Sequence, residues 1–294
     1  MKKIGKKIRR IGIIANPEKP RCGALVRRAA GALRLSRCTI ACDPATAAIV
    51  PNLWSRVTTI QELALTCDLL LVVGGDGSML RVAREVAGTS TPILGINAGN
   101  LGFLTSIRPD QLTATLKEVV QGRFTIEERA LLEATVHQGD KQSVQIAFND
   151  FVLSRGITSR LIELEVSVNG ELLTRYRCDG FITSSPTGST AYSLAAGGAI
   201  VSPDTEALTL TPICPHTLSI RPVVVSLQST VQVRLLSSRL AAILAADGQQ
   251  QTPLHAGDTV SIRRSARSVQ LLRLHGTSFF ATLRQKLGWS GSNV

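Results

Sequence analysis

Val72-Val-Gly-Gly-Asp-Gly-Ser-Met-Leu80 carries an apolar run into three glycines set around one carboxylate, then out into a helix-like pattern. The run it closes, Leu69-Leu-Leu-Val-Val73, has strand length and no alternation, as expected of a strand buried on both faces. Glycines let the backbone approach a bulky anion, and the amides of a helix start favour phosphate oxygens. The end of a parallel strand is also where ligands bind in such sheets. The spacing is neither G-x-x-x-x-G-K-[ST] nor G-x-G-x-x-G, because position 80 is Leu. An Asp among glycines is ordinarily a turn former. Beside phosphates, however, a carboxylate is electrostatically costly unless it helps hold a divalent metal or takes a proton from an attacking hydroxyl. Phosphoryl transfer to an alcohol needs both kinds of help, and Asp76 is the candidate.

The same strand-then-helix rhythm extends to either side. Ile11 to Ala15 reads as a buried strand halted by Asn16-Pro17, and residues 22 to 34 as a helix. Ile93 to Ile96 is another strand, halted by Asn97. Asp110 opens a helix with Leu112, Leu116, Val119 and Val120 on its apolar face, and Gly122 stops it. Buried strands alternating with helices predict a Rossmann-like parallel α/β domain over residues 1–129. From about Leu131 the period changes. Leu131 to Val136, Val144 to Phe148 and Phe151 to Leu153 are short strands, with Gln138-Gly-Asp-Lys141 as a turn. Ile162 to Val168 alternates strictly and meets Asn169-Gly170, a strong hairpin signal. Further strands are expected at Val223 to Leu227, Val231 to Leu235, Ala242 to Leu244, Val260 to Ile262 and Val269 to Leu274. Residues 130–268 are therefore expected to form a β-rich domain. Residues 269–294, with a helix from Phe279 to Trp289, are expected to pack back on the first.

With 44% hydrophobic and 18% charged residues, the chain can bury a real core, and aromatics at 4% leave aliphatic side chains to fill it. A net charge of +12 and a pI near 10.0 favour polyanions as partners. The basic residues are dispersed and lack aromatic interleaving, which argues against nucleic acid. Cys22, Cys38, Cys42, Cys67, Cys178 and Cys214 form no C-x-x-C pair and no zinc-finger spacing, so they are expected to be reduced thiols. The basic start (Lys2, Lys3, Lys6, Lys7, Arg9, Arg10) precedes an apolar stretch too short for a signal sequence, and no run reaches membrane-span length. A cytoplasmic protein without membrane partners is the expectation.

Three further motifs carry polar chemistry. Asn97-Ala-Gly-Asn-Leu-Gly-Phe-Leu104 is a second strand end opening into a glycine loop. Asn149-Asp150 joins a side chain that both donates and accepts to one that only accepts, as ribose hydroxyls or an adenine edge require, although a surface turn has the same composition. In Asp179-Gly-Phe-Ile-Thr-Ser-Ser-Pro-Thr-Gly-Ser-Thr-Ala-Tyr-Ser-Leu-Ala-Ala-Gly-Gly198, five hydroxyls (Ser184, Ser185, Thr187, Ser189, Thr190) crowd one corner before a small-residue helix. That exceeds what capping needs and points to a polar ligand.

Taken in order, Gly74-Gly-Asp-Gly77, Gly95 to Phe103, Asn149-Asp150, Asp179-Gly180, Thr187-Gly-Ser-Thr-Ala-Tyr192, Pro215-His216, Arg221-Pro222, Asp247-Gly-Gln249 and Lys286-Leu-Gly-Trp289 resemble the bacterial NAD kinases. The likeness runs from Ile11 onward. Its GGDG element is shared with 6-phosphofructokinases and with diacylglycerol and sphingosine kinases, whereas the Thr-Gly-Ser-Thr-Ala-Tyr corner is far more specific. The resemblance implies a β-sandwich for the second domain and NAD bound between the two. It implies Asp76 as general base toward the adenosine ribose 2′-hydroxyl, with Gly77 beside it. It also implies Asn149 and Asp150 gripping that ribose and the adenine, Asp179 of the Asp-Gly pair, and Thr190, Ala191, Tyr192, Ser193, Leu194 and Ala195 lining the nucleotide site, partly from a neighbouring subunit. Phe103 lies in the matched glycine-loop motif, and Arg81, Arg160, Arg177 and Gln249 align with further ligand contacts. ATP or polyphosphate as donor, Mg²⁺ as the divalent cation, and a homodimer or homotetramer are implied as well. Asp150 stands where the family often has Glu, and the basic N-terminal extension has no counterpart. Two other readings use the same residues: a lipid or sugar kinase acting on another alcohol, and a dinucleotide sensor that has lost the reaction. No basic amphipathic helix supports the lipid kinase, and retention of Asp76 argues against the sensor.

Overall fold

The computed structural model describes residues 3–4, 7–99, 102–156, 160–217, 219–237 and 242–289. They form two compact units, Met1–Glu128 with Ser268–Val294, and Arg129–Arg267.

In the first unit, parallel strands lie side by side in the order Arg56–Val57, Thr39–Cys42, Arg10–Ala15, Leu69–Gly74, Ile93–Asn97. Thr105–Ile107 follows Ile93–Asn97 in parallel, as does Leu271 of the closing strand Thr259–Leu274 opposite Ile93. Counted along the chain from Arg10–Ala15, the spatial order is third, second, first, fourth, fifth. The winding therefore reverses between Arg10–Ala15 and Leu69–Gly74, whose residues pair from Ile11↔Leu69 to Ala15↔Val73. At such a switch point the loops after the two strands leave in opposite directions and open a crevice at their carboxyl ends. Helices Cys22–Leu35 and Leu112–Val120 pack together on one face, burying Leu25, Val26, Leu33, Leu116 and Val119 against Ile11, Ile13, Leu69, Leu71 and Val73. Helices Ile60–Thr66 and Asp76–Glu85 contact the same strands from the other side, where Leu63 sits over Gly12 and Met79 over Gly95. Every residue of Leu69–Gly74 is buried, which explains the unbroken apolar run.

The second unit is a β-sandwich. One antiparallel sheet runs Val223–Ser226, Ala207–Ile213, Gly180–Ser184, Asp150–Arg155, Ala242–Ala246, Gln250–Leu254. The other layer contains Glu171–Cys178, Ile162–Val168, Val231–Leu235 and Thr259–Leu274, and the hairpin of Phe124–Gln138 with Lys141–Ala147. Phe151, Leu153, Phe181, Leu208 and Leu244 of the first sheet and Leu164, Val166, Tyr176, Val233 and Val260 of the second fill one core. The Asn169-Gly170 turn has both residues at positive φ (53° and 85°), the type I′ geometry that matches strand twist.

Differences from the expected elements have local causes. Thr39–Cys42, Pro44–Ile49 and Ile60–Thr66 are too short to show a period, although Asp43 and Thr59 cap the two helices by accepting from Thr46 N and Glu62 N at 3.2 Å. Val260 to Ile262 and Val269 to Leu274 belong to the single strand Thr259–Leu274. Its polar middle reads as a loop because of Arg263, which is exposed, and Arg264, which is half-buried, paired with Glu133 at 2.9 Å and Glu206 at 3.3 Å. The helix expected after the hydroxyl-rich corner is one turn, Tyr192–Ala195, preceded by the 3-10 segment Thr187–Thr190. The closing helix Phe279–Leu287 stops at Gly288, whose φ of 67° is a left-handed cap.

Candidate functional site

The loops after the neighbouring strands Leu69–Gly74 and Ile93–Asn97 bring the first set of candidates together. Gly74 ends its strand, Gly75 stands in extended conformation, and Asp76 is the first residue of helix Asp76–Glu85. Asp76 is half-buried, and each carboxylate oxygen accepts one amide: Oδ2 from Phe103 N at 2.8 Å and Oδ1 from Leu104 N at 3.1 Å. A carboxylate oxygen has two lone-pair directions, so each retains one for a hydroxyl. The second glycine loop therefore orients the carboxylate of the first. Gly102 makes this close approach feasible, since a Cβ there would fall 2.0 Å from Asp76 Oδ1. Asn100 and Leu101 of that loop lie outside the described residues.

Lys19, on the loop after Arg10–Ala15, reaches across the switch point. Its Nζ lies 2.9 Å from where a Cβ of Gly75 would stand and 3.9 Å from that of Gly99. Among the described residues no ion pair involves Lys19. Its ammonium and the helix N-terminus together place positive potential beside the Asp76 carboxylate, where an anion is favoured. Arg81, one turn into the helix, pairs with Glu85 at 3.3 Å, and the Lys286 ammonium sits 5.3 Å above the Phe103 ring.

In the second unit, Asn149 stands at a tight corner and Asp150 opens strand Asp150–Arg155. The Asn149 carbonyl accepts from Ser185 N at 2.8 Å and Ser184 Oγ at 3.2 Å, while Ser185 Oγ donates to the Phe148 carbonyl at 2.7 Å. A Cβ on Gly188 would fall 2.1 Å from the Asn149 carbonyl oxygen, so that contact too depends on glycine. Asp150 is only 4% exposed. Burial, and secondly the neighbouring charge of Asp247, push its carboxyl up to about 7.

The hydroxyls of the Thr187-Gly-Ser-Thr corner turn inward. Ser184 and Ser185 hold the Asn149 corner, Ser189 Oγ bonds Pro186 O and the Val201 backbone, and Thr190 Oγ1 donates to Thr187 O at 3.2 Å. Their abundance reflects construction of the corner, not ligand contact by each of them. Ser193 is buried against Thr209 and Thr211 hydroxyls at 3.3 and 3.0 Å, and fixes a segment in which Thr190, Ala191 and Leu194 are half-buried and Tyr192 and Ala195 exposed. Asp179 pairs with Arg155 at 2.8 Å, and Arg177 with Glu163 at 3.2 Å. Arg160, Gly77 and Gln249 are exposed. Two residues of this geometry escaped the sequence reading of roles. Lys19 follows an unremarkable Asn-Pro, and its importance depends on strand order. Asp247 was legible only as part of Asp247-Gly-Gln249, without a task.

Among the described residues no group of three or more His, Cys, Asp or Glu side chains is placed to hold a metal. The described cysteines are all free, and burial pushes Cys42 and Cys178 up to about 12, so neither is a ready nucleophile.

Comparison with known proteins follows the same division. Residues 11–124 match the ATP-NAD kinase N-terminal domain and residues 148–274 the ATP-NAD kinase C-terminal domain. An NAD kinase of Teredinibacter turnerae is 45% identical over 250 residues, covering 84% of this chain and 85% of its own length. One of Desulforamulus reducens is 42% identical, covering 94% and 96%. Among solved structures, yeast NADH kinase complexed with NADH superposes with a TM-score of 0.88 at 28% identity, covering 98% of this chain and 90% of its own. An NAD kinase of Archaeoglobus fulgidus in complex with ATP gives a TM-score of 0.76 at 26% identity, covering 96% and 100%.

Proposed function

The chain belongs to the NAD kinase family, and on that footing we propose that it transfers the terminal phosphoryl group of ATP to the 2′-hydroxyl of the adenosine ribose of NAD, giving NADP. The observation that carries the mechanism is the Asp76 carboxylate, held by the Phe103 and Leu104 amides at the switch point with one acceptor direction open on each oxygen. Asp76 takes the hydroxyl proton as the ribose oxygen forms its bond to the γ-phosphorus. The bond from that phosphorus to the bridging oxygen breaks, and ADP leaves with the electron pair. Because the phosphoryl group's charge is spread over its outer oxygens, most of the work is positioning and counter-charge. Lys19 and the helix start beyond Gly75 supply positive potential for the phosphate chain.

Asn149 and Asp150 hold the ribose and adenine. Arg81, Phe103, Arg160, Arg177, Asp179, the segment Thr190 to Ala195 and Gln249 make the further contacts that the family resemblance assigns them. A divalent cation, Mg²⁺, would be held near Asp76, the carboxylate of this loop, and would supply counter-charge to the phosphate chain. We place the protein in the cytoplasm as a homodimer or homotetramer, a reading supported by the family resemblance. No helix among the described residues is long and apolar enough to cross a membrane.

The test is incubation with NAD, Mg²⁺ and either ATP or polyphosphate, reading NADP with an NADP-specific dehydrogenase. NADP formation supports the reading. Phosphorylation of a sugar or lipid alcohol with NAD untouched would place the GGDG site on another acceptor, and NAD binding without turnover would mark a sensor.

A further inference from the structure

Asp247 belongs to no strand, yet it organises the corner at which Asn149 and Asp150 stand. It occupies the turn between Ala242–Ala246 and Gln250–Leu254 with φ at 50°, a left-handed conformation that a non-glycine residue rarely adopts. From there its carboxylate accepts three successive amides: Phe148 N at 3.0 and 3.1 Å, Asn149 N at 2.7 Å and Asp150 N at 3.3 Å. Its own amide donates to the Asp150 carbonyl at 3.0 Å, so the clamp closes in both directions. Charge-assisted bonds of this kind are about twice as strong as neutral ones. With Ser184 and Ser185 holding the opposite side, the backbone at 148–150 is fixed from two directions.

The side chains so presented have no tie of their own. Among the described residues neither the Asn149 amide nor the Asp150 carboxyl has a hydrogen-bond partner, although Asp150 is 4% exposed. Both therefore keep their donor and acceptor capacity for a ligand.

Resting on the NAD kinase reading, we propose that Asp247 is the positioning residue of the nucleoside subsite: it fixes the Asn149–Asp150 corner and places a negative charge beside Asp150. The second part follows from what surrounds Asp150. Its partner across the sheet is Ser184, and strands Gly180–Ser184, Ala242–Ala246 and Gln250–Leu254 bear no ionisable side chain. On its own strand the one other charged group, Arg155, stands at the far end and is paired with Asp179. Asp247 is the charge acting on it, adding to burial in raising its proton affinity.

Asp247→Asn and Asp247→Glu test this against the unmodified enzyme. In Asp247→Asn the KM for NAD is expected to rise by about tenfold or more, the loss of one bond to a charged acceptor. The kcat and the KM for ATP stay within about threefold. The pH midpoint of kcat/KM for NAD moves down, because Asp150 then ionises without a neighbouring negative charge. Asp247→Glu keeps the charge but not the reach, so KM for NAD rises while the midpoint stays. Asp150→Asn identifies the midpoint by abolishing it.

A parallel rise in both KM values with an unmoved midpoint would make Asp247 a general structural residue and overturn the proposal, as would an unchanged KM for NAD. Should both variants fold poorly, amide hydrogen exchange on the unmodified chain decides. Protection at Phe148, Asn149 and Asp150 equal to that of strand interiors supports the clamp, and loop-like exchange overturns it. The underlying reading fails separately, by absence of NADP formation in the unmodified enzyme.

Discussion

Replacing Gly102 by alanine is expected to cripple turnover while sparing NAD binding. A Cβ at this position falls 2.0 Å from Asp76 Oδ1, 2.5 Å from Cγ and 2.7 Å from Oδ2. Non-bonded heavy atoms settle at about 3.5–4.0 Å, so the carboxylate or the loop must retreat by more than ~1 Å. Either movement breaks the bonds from the Phe103 and Leu104 amides, at 2.8 and 3.1 Å, that orient the carboxylate. A misplacement of about 1 Å costs roughly 10²-fold in rate, and loss of a general base roughly 10²–10⁴-fold. The kcat of Gly102→Ala should therefore fall by at least about 10²-fold. Overpacking costs about 1–3 kcal/mol of stability, which thermal unfolding would register while leaving the protein folded at assay temperature. The assay is NADP formed per unit time at saturating NAD and ATP, with NAD affinity from calorimetry expected within about threefold of the parent. A folded Gly102→Ala with kcat within about fivefold of the parent would refute the assignment of the second glycine loop as the holder of Asp76.

Two further outcomes follow from the geometry. Lys19→Ala removes the ammonium beside Gly75, and the KM for ATP should rise by about ten- to a hundredfold, the worth of one charge-assisted bond, with the KM for NAD unmoved; equal KM values for ATP in variant and parent would remove Lys19 from phosphate binding. Asp150, raised from 3.8 to about 7, binds a proton more tightly in the folded than in the unfolded chain, so its contribution is present below pH ~4 and is lost as pH rises through about 7. The penalty above that pH approaches about 4 kcal/mol, and Asp150→Asn should recover part of it at pH 8 and almost none at pH 4 in urea unfolding. A difference independent of pH would show that Asp150 ionises freely in the folded chain.

Elements buried on both faces or strictly alternating were legible along the sequence, because one environment per face leaves a periodic record. Leu69–Gly74 and Ile162–Val168 are of this kind. The middle of Thr259–Leu274 was not, since arginines paired with Glu133 and Glu206 mimic a loop. At the site, Asp76 announced itself through the three glycines around it, of which Gly74 and Gly75 have neighbours that leave no room for a Cβ. Its orientation by the Phe103 and Leu104 amides could not be read, because it joins positions far apart along the chain through backbone groups that every residue carries. Lys19 and Asp247 were hidden for related reasons. One acquires meaning from the strand order at the switch point, the other from a left-handed turn that brings one carboxylate to three amides. The hydroxyl-rich corner shows the converse: its composition suggested a ligand, and most of its hydroxyls are committed to holding the chain.

The role of Asp76 is tested most directly by single-turnover quench flow on Asp76→Asn, with NAD and Mg²⁺–ATP saturating. Phosphoryl transfer to the ribose should slow by about 10²–10⁴-fold while NAD affinity stays within about threefold. A transfer step as fast as the parent's would contradict proton removal by Asp76.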